Sequence, residues 1–168
     1  MFEKIDPRDL DGNVFRRIGD QWMLVTAGNR TGCNTMTASW GGLGILWGAP
    51  VATAYVRPQR YTKEFMDREK TFSLSFYGEE YRKALSLCGS KSGREVDKVK
   101  ECNFTVEYGV GDTPYFAQAE LVLICEKQYA DELKPEKFID IAAMEKNYPA
   151  RDFHTMYIGK IVETLKKI

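Results

Sequence analysis

The stretch Thr71-Phe72-Ser73-Leu74-Ser75-Phe76-Tyr77 alternates apolar with small polar side chains. Successive side chains of an extended strand point to opposite faces, so this pattern predicts a half-buried strand. Residues 22–27, 36–40, 51–57, 103–108, 119–129 and 155–165 are likewise rich in β-branched and aromatic side chains and read as strands. Gly28, Gly32, Gly41-Gly42, Gly44 and Gly48-Ala49-Pro50 read as the turns of the first half. Helical pieces are fewer. Thr62 can cap a short helix through residue 69 that turns Phe65 and Met66 inward, and residues 79–87 place Tyr81, Ala84, Leu85 and Leu87 at helical spacing. Ser92 can cap a helix or turn over 93–100, and Pro135 suits the first turn of a helix through 145. No regular βαβ alternation appears. The expected fold is mainly β, an antiparallel β-barrel with appended helices rather than a doubly wound sheet, formed by one domain over residues 1–168.

The charge balance narrows the function. With 24 basic and 24 acidic residues the chain lacks the basic excess that nonspecific nucleic-acid binding needs. The longest apolar run, around residues 121–125, is too short to span a membrane, and Met1-Phe2-Glu3-Lys4 carries charge where a signal peptide is apolar. A cytoplasmic protein is expected. None of the four cysteines, Cys33, Cys88, Cys102 and Cys125, forms a Cys-x-x-Cys pair, and His154 is the single histidine, so no metal site is expected and the thiols read as free. Cys33 and Cys88 each adjoin a stretch that carries binding chemistry.

Three stretches carry that chemistry: Asn34-Thr35-Met36-Thr37-Ala38-Ser39-Trp40, Val56-Arg57-Pro58-Gln59-Arg60-Tyr61-Thr62, and Cys88-Gly89-Ser90-Lys91-Ser92-Gly93-Arg94-Glu95-Val96-Asp97-Lys98. They combine hydroxyls and exposed backbone with guanidinium and ammonium groups, which suits a phosphate attached to a flat polar ring. No Gly-rich Rossmann or P-loop spacing is present, so a phosphate must be held another way. Pro58 keeps Arg57 out of the helical region, and the chain then turns into a helix start, crowding Arg57, Arg60 and Thr62 together. Alone, these residues read more readily as solvated arginines and an ordinary cap. The second donor-rich turn, with Ser90, Lys91, Ser92, Arg94 and Lys98, favours a phosphate clamp. Residues 36–40 read either as a plain core strand or as an edge strand that hydrogen-bonds the rim of a heterocycle.

The order NTMTASWGG, LWGAPVATAYVRPQRYT, FSLSF, LCGSKSGREVDK and DFHTMYIGKI resembles the flavin reductase-like family with the FMN-binding split β-barrel fold, and looks most like its flavoredoxin-type members. The resemblance spans about residues 22–161. It implies a homodimer with one FMN per subunit near the dimer interface. It further implies that Thr35, Met36, Thr37, Ala38, Ser39 and Trp40 line the isoalloxazine. Arg57, Arg60, Tyr61 and Thr62 would lie near the ribityl phosphate, with Cys88, Gly89, Ser92, Gly93 and Lys98 completing that side. Arg94 and Asp97 would shape the turn behind it. Hydride would pass from NADH or NADPH to flavin N5, and then to free flavin or another acceptor; the alternative is an electron carrier between protein partners. His154 reads either as a contact to the nicotinamide or flavin edge or as a structural histidine before the last strand.

Overall fold

The computed structural model describes all residues, Met1–Ile168. Its strands and helices run β1 (Phe2–Lys4), β2 (Met23–Asn29), β3 (Gly32–Ala38), β4 (Gly41–Leu46), β5 (Ala49–Val56), α1 (Thr62–Arg68), β6 (Thr71–Phe76), α2 (Arg82–Ser90), α3 (Lys98–Glu101), β7 (Val106–Gly109), β8 (Thr113–Phe116), β9 (Leu121–Glu132), α4 (Ile141–Asn147) and β10 (Thr155–Lys167). The fold is mainly β, as the alternating patterns predict. The large sheet has the order β3-β2-β6-β9-β10-β5-β4, with β1 added to β10, and every pairing is antiparallel. β7 and β8 make a separate two-stranded sheet.

The sheet rolls around one apolar core. Met23, Val25, Met36, Ala38, Ala52, Ala54, Phe72, Leu74, Leu123 and Tyr157 meet in it, drawn from strands across the whole sheet. A second cluster packs Leu85 and Cys88 of α2 onto Leu24, Val122 and Ile124 on the other face, with Phe104 stacked on Phe116 at 4.7 Å between ring centres. α2 is also held against β3, where the Thr37 hydroxyl donates to the Leu85 carbonyl. A small third cluster of Met144, Tyr148 and Phe153 seats α4 and the segment leading into β10. No helix is long and apolar enough to cross a membrane.

Several local expectations shift. The segment with Gly41, Gly42 and Gly44 is strand β4 paired to β5, not a turn. A Cβ at Gly41 would stand 2.8 Å from the Thr53 carbonyl and 2.9 Å from Met23 Cε, so close packing explains this glycine. The hairpin turn sits at Trp47 and Gly48, with φ of +50° and +72°. Thr62 is the first residue of α1 rather than its cap, and its hydroxyl accepts from Asn34 Nδ2 at 2.8 Å. Of the helix or turn expected over 93–100, the structure has the turn, with Ser92 Oγ accepting from Arg94 N–H, followed by α3, where the Asp97 carboxylate caps Lys100 N–H. Pro135 opens only one 3-10 turn, and α4 begins later, capped by Asp140. The strand expected from residue 103 begins at Val106, since Asn103 has φ +52° and ends the α3 turn.

Candidate functional site

Two cavities adjoin where β3, β5, the turn before α1 and the end of α2 meet. The first, about 190 Å³, is lined by Met36, Thr37, Ala38, Ser39, Trp40, Tyr55, Arg57, Arg60 and His154. The second, about 310 Å³, is lined by Met36, Arg57, Gln59, Arg60, Tyr61, Thr62, Ser90, Lys91, Ser92, Gly93 and Lys98. Met36, Arg57 and Arg60 belong to both, so the two form one groove with a flat, partly aromatic end and a cationic end.

The cationic end is built on buried contacts. Lys98 is 5% exposed, and its ammonium donates to the Thr35 carbonyl at 2.7 Å and the Cys88 carbonyl at 2.8 Å. One side chain thus ties β3 to the end of α2. Arg60 donates to the Gly89 carbonyl at 2.6 Å. Neither cation makes an ion pair, whereas Arg57 pairs with Asp152 at 2.7 Å and Arg94 pairs with Glu64. Burial, and then the neighbouring Arg57 charge, draws the Arg60 guanidinium below its ordinary value; burial does the same to Lys98. A buried cation without a counter-ion is costly. Lys98 and the half-buried Arg60 face one cavity that no carboxylate lines, an arrangement suited to an anion. Gly93 permits the close approach of the Ser92 turn, because a Cβ there would fall on the Asn34 side-chain oxygen. Gly93→Val is therefore expected to displace that turn and to weaken binding of a phosphorylated ligand at least tenfold, measured by titration, while circular dichroism stays unchanged.

The flat end carries His154 on its wall. Its ring centre lies 5.2 Å from that of Trp40 and 6.4 Å from that of Tyr55. Burial, then the Arg57 charge, pushes the imidazole down to about 4. The folded value lies below the unfolded 6.5, so the unfolded chain binds this proton more readily. His154 therefore opposes folding progressively as pH falls from about 6.5 towards 4, and is silent above that window. As the only histidine it gives one unambiguous NMR titration, expected to centre near 4 and not near 6.5.

A family model described as the flavin reductase like domain matches residues 15–166. The chain belongs to this family. Solved structures share the fold of this flavin reductase-like protein. A flavoredoxin from Methanosarcina acetivorans gives a TM-score of 0.68 at 22% identity, over 88% of this chain and 68% of its own. An FMN-binding domain of a flavin reductases-like enzyme from Shewanella baltica gives 0.69 at 15% identity, over 99% and 77%. A flavoredoxin of Desulfovibrio vulgaris gives 0.68 at 20% identity, over 87% and 69%. No curated protein matches.

In this flavin reductase-like chain, Met36 to Trp40 line the flat end, and Arg60, Tyr61, Thr62, Ser92, Gly93 and Lys98 line the cationic end. Thr35 is placed differently. Its hydroxyl is buried on the sheet face opposite the main core, 2.8 Å from that of Thr26, and only its carbonyl reaches Lys98. Thr37 spends its hydroxyl proton on the Leu85 carbonyl. Cys88 and Gly89 line neither cavity and act through their carbonyls. The Cys88 thiol is buried 3.8 Å from Cys102 Sγ and pushed up to about 12, mainly by burial. Cys33, pushed up to about 11 by burial and Asp97, lies on a neighbouring cavity. Arg57 reaches both cavities but is committed to Asp152, to the Asn147 carbonyl at 3.0 Å and to the face of Tyr148. Arg94 pairs with Glu64 and covers the Tyr61 ring, while Asp97 caps α3. Sequence reading placed Asn34 in the first stretch without a role of its own, and assigned none to Tyr55, Tyr148 or Asp152. Tyr55 alone had a signal, two residues before Arg57 near the end of β5.

Proposed function

We propose that this chain is an FMN-binding flavoprotein oxidoreductase that takes electrons from NADH or NADPH and passes them to free flavin or another acceptor. The observation that carries the reading is the single groove with a partly aromatic end and, at the other, two cations without ion pairs, the buried Lys98 and the half-buried Arg60. Its donor set fits FMN: Arg60, Lys98 and the Ser92 turn would hold the phosphate, and residues 36–40 with Trp40 and Tyr55 would bound the isoalloxazine. When bound, FMN would supply the redox chemistry, two-electron transfer between a nicotinamide nucleotide and an acceptor. The chain itself binds and orients. Ser39 and the β3 backbone meet the ring rim, and His154, neutral near pH 7, borders the open side where a second ring can stack.

The assembly and compartment belong to the same proposal. Trp40, Ile45 and Trp47 stand exposed along the β4 edge beside the flat end, and a second copy covering them would give a homodimer that shields the ring. Light scattering on the purified protein checks this, with a dimeric mass as the expected result. A cytoplasmic location follows from the supply of pyridine nucleotide.

An absorbance spectrum before and after anaerobic NADH, then NADPH, tests the activity. A flavin spectrum that bleaches is the expected result. A bound flavin reduced only by a protein donor would make the chain an electron carrier, and no FMN binding would remove the reading. Riboflavin, lacking the phosphate, is expected to bind more weakly than FMN. Arg60→Ala is expected to weaken FMN binding about 10- to 150-fold, the equivalent of one charged hydrogen bond of roughly 1.5–3 kcal/mol.

A further inference from the structure

We propose that Tyr148 is a positioning residue that fixes His154 as the Nε2–H tautomer, so that the imidazole offers a hydrogen-bond donor to a carbonyl oxygen of a ligand in the flat end of the groove. Tyr148 follows the last turn of α4 and is 6% exposed. Its Oη lies 2.8 Å from His154 Nδ1 in a buried contact. The phenol has no acceptor for its proton other than Nδ1. If it accepted from Nδ1–H, its own proton would be buried without a partner, at a cost of about 1–3 kcal/mol. Tyr148 therefore donates and Nδ1 accepts. A neutral imidazole with a bare Nδ1 carries its proton on Nε2.

The surroundings support the neutral ring. Arg57 lies over the Tyr148 ring at 5.0 Å and pairs with Asp152, so one guanidinium both clamps the end of α4 and disfavours an imidazolium beside it. Nε2 makes no hydrogen bond within the chain, and the ring lines the groove. Thr37 gives its proton to the Leu85 carbonyl and Arg57 is held by Asp152 and the Asn147 carbonyl, which leaves His154, Ser39 and Tyr55 among the side chains there with uncommitted donors. The Nε2–H is thus a free, oriented donor, and its complement is a carbonyl oxygen. A flavin ring carbonyl and a nicotinamide carboxamide both present one. This ligand contact rests on the FMN reading above; the tautomer does not.

The chain has one histidine, so nitrogen-15 spectra of the imidazole at neutral pH need no assignment. The ligand-free protein is expected to show a bare Nδ1 and a protonated Nε2. Tyr148→Phe keeps the ring packing and removes the hydroxyl, and is expected to move both resonances towards the average of two exchanging tautomers. An Nδ1–H tautomer in the parent protein overturns the proposal from that spectrum alone, even if the variant fails to fold. Unchanged resonances in a folded Tyr148→Phe variant overturn it as well. The parent is then titrated with FMN, followed by oxidised pyridine nucleotide. A shift of the Nε2 resonance at the first step supports the contact with a flavin carbonyl as acceptor, and a shift only at the second supports it with the carboxamide. No shift at either step, with FMN visibly bound, overturns the ligand contact. If FMN does not bind at all, the flavin reading fails, while the tautomer is still decided by the ligand-free spectra.

Discussion

Lys98→Met is expected to weaken FMN binding by about 10- to 150-fold at least, with a folded protein retained. Methionine keeps most of the volume and removes the charge. The lost interaction with a dianionic phosphate accounts for the lower figure. A second effect adds to it, because Lys98 also joins the Thr35 and Cys88 carbonyls at 2.7 and 2.8 Å. Without it both carbonyls lose their partner, and the end of α2 is no longer tied to β3 beside the phosphate position. The folded chain does not suffer in proportion, since methionine also relieves the desolvation of a cation that is 5% exposed. Lys98→Arg should not rescue binding: a planar fork does not fit a position flanked by two carbonyls as a compact ammonium does. Fluorescence titration with FMN and with riboflavin separates the two effects. Loss confined to FMN marks the charge, and parallel loss of both marks displacement of the α2 end. FMN binding at the parent's affinity would take Lys98 out of the phosphate end.

Lys98 also shows where sequence reasoning reached and where it stopped. Its place among hydroxyls and a second cation identified a donor-rich turn, because that chemistry is local. Its burial was not legible, since burial comes from β3, sixty-three residues earlier in the chain. Arg57 is the opposite case. By composition it belongs with Arg60, yet the structure neutralises it with Asp152, ninety-five residues away. No spacing rule connects such partners. Strand patterns were legible wherever one face is apolar, as over Thr71–Phe76. β4 was not, because its glycines carry no side-chain alternation, and only Gly41 is required by the close approach of β5 and Met23. The Tyr148–His154 contact depends on α4 folding back over the start of β10, which short-range periodicity does not encode.

The barrel core gives the second large effect. Phe72→Ala is expected to destabilise the fold by about 3–5 kcal/mol, the usual cost of truncating a fully buried aromatic side chain. For a chain of this size that lowers Tm by roughly 6–20 °C, which a thermal melt reads directly. Phe72 is wholly buried on β6, paired in register with Cys125 of β9. Its ring occupies the space left by Gly159 on β10, where a Cβ would stand 2.8 Å from Phe72 Cε1 and 2.7 Å from Cys125 Cβ. β9 and β10 shift register between Ile158 and Gly159, so the glycine sits where the two strands are pressed together over the ring. Gly159→Ala alone is therefore expected to destabilise through overpacking. Combined with Phe72→Ala it should cost less than the sum of the two, because the ring contact no longer exists and only the Cys125 contact remains. Strict additivity would mean that Cys125, not Phe72, dictates the glycine. Neither residue lines the groove, so FMN affinity measured well below the lowered Tm should match the parent's. A matching loss of affinity would mean that the barrel interior, and not only the edge at β3 and β5, sets the shape of the site.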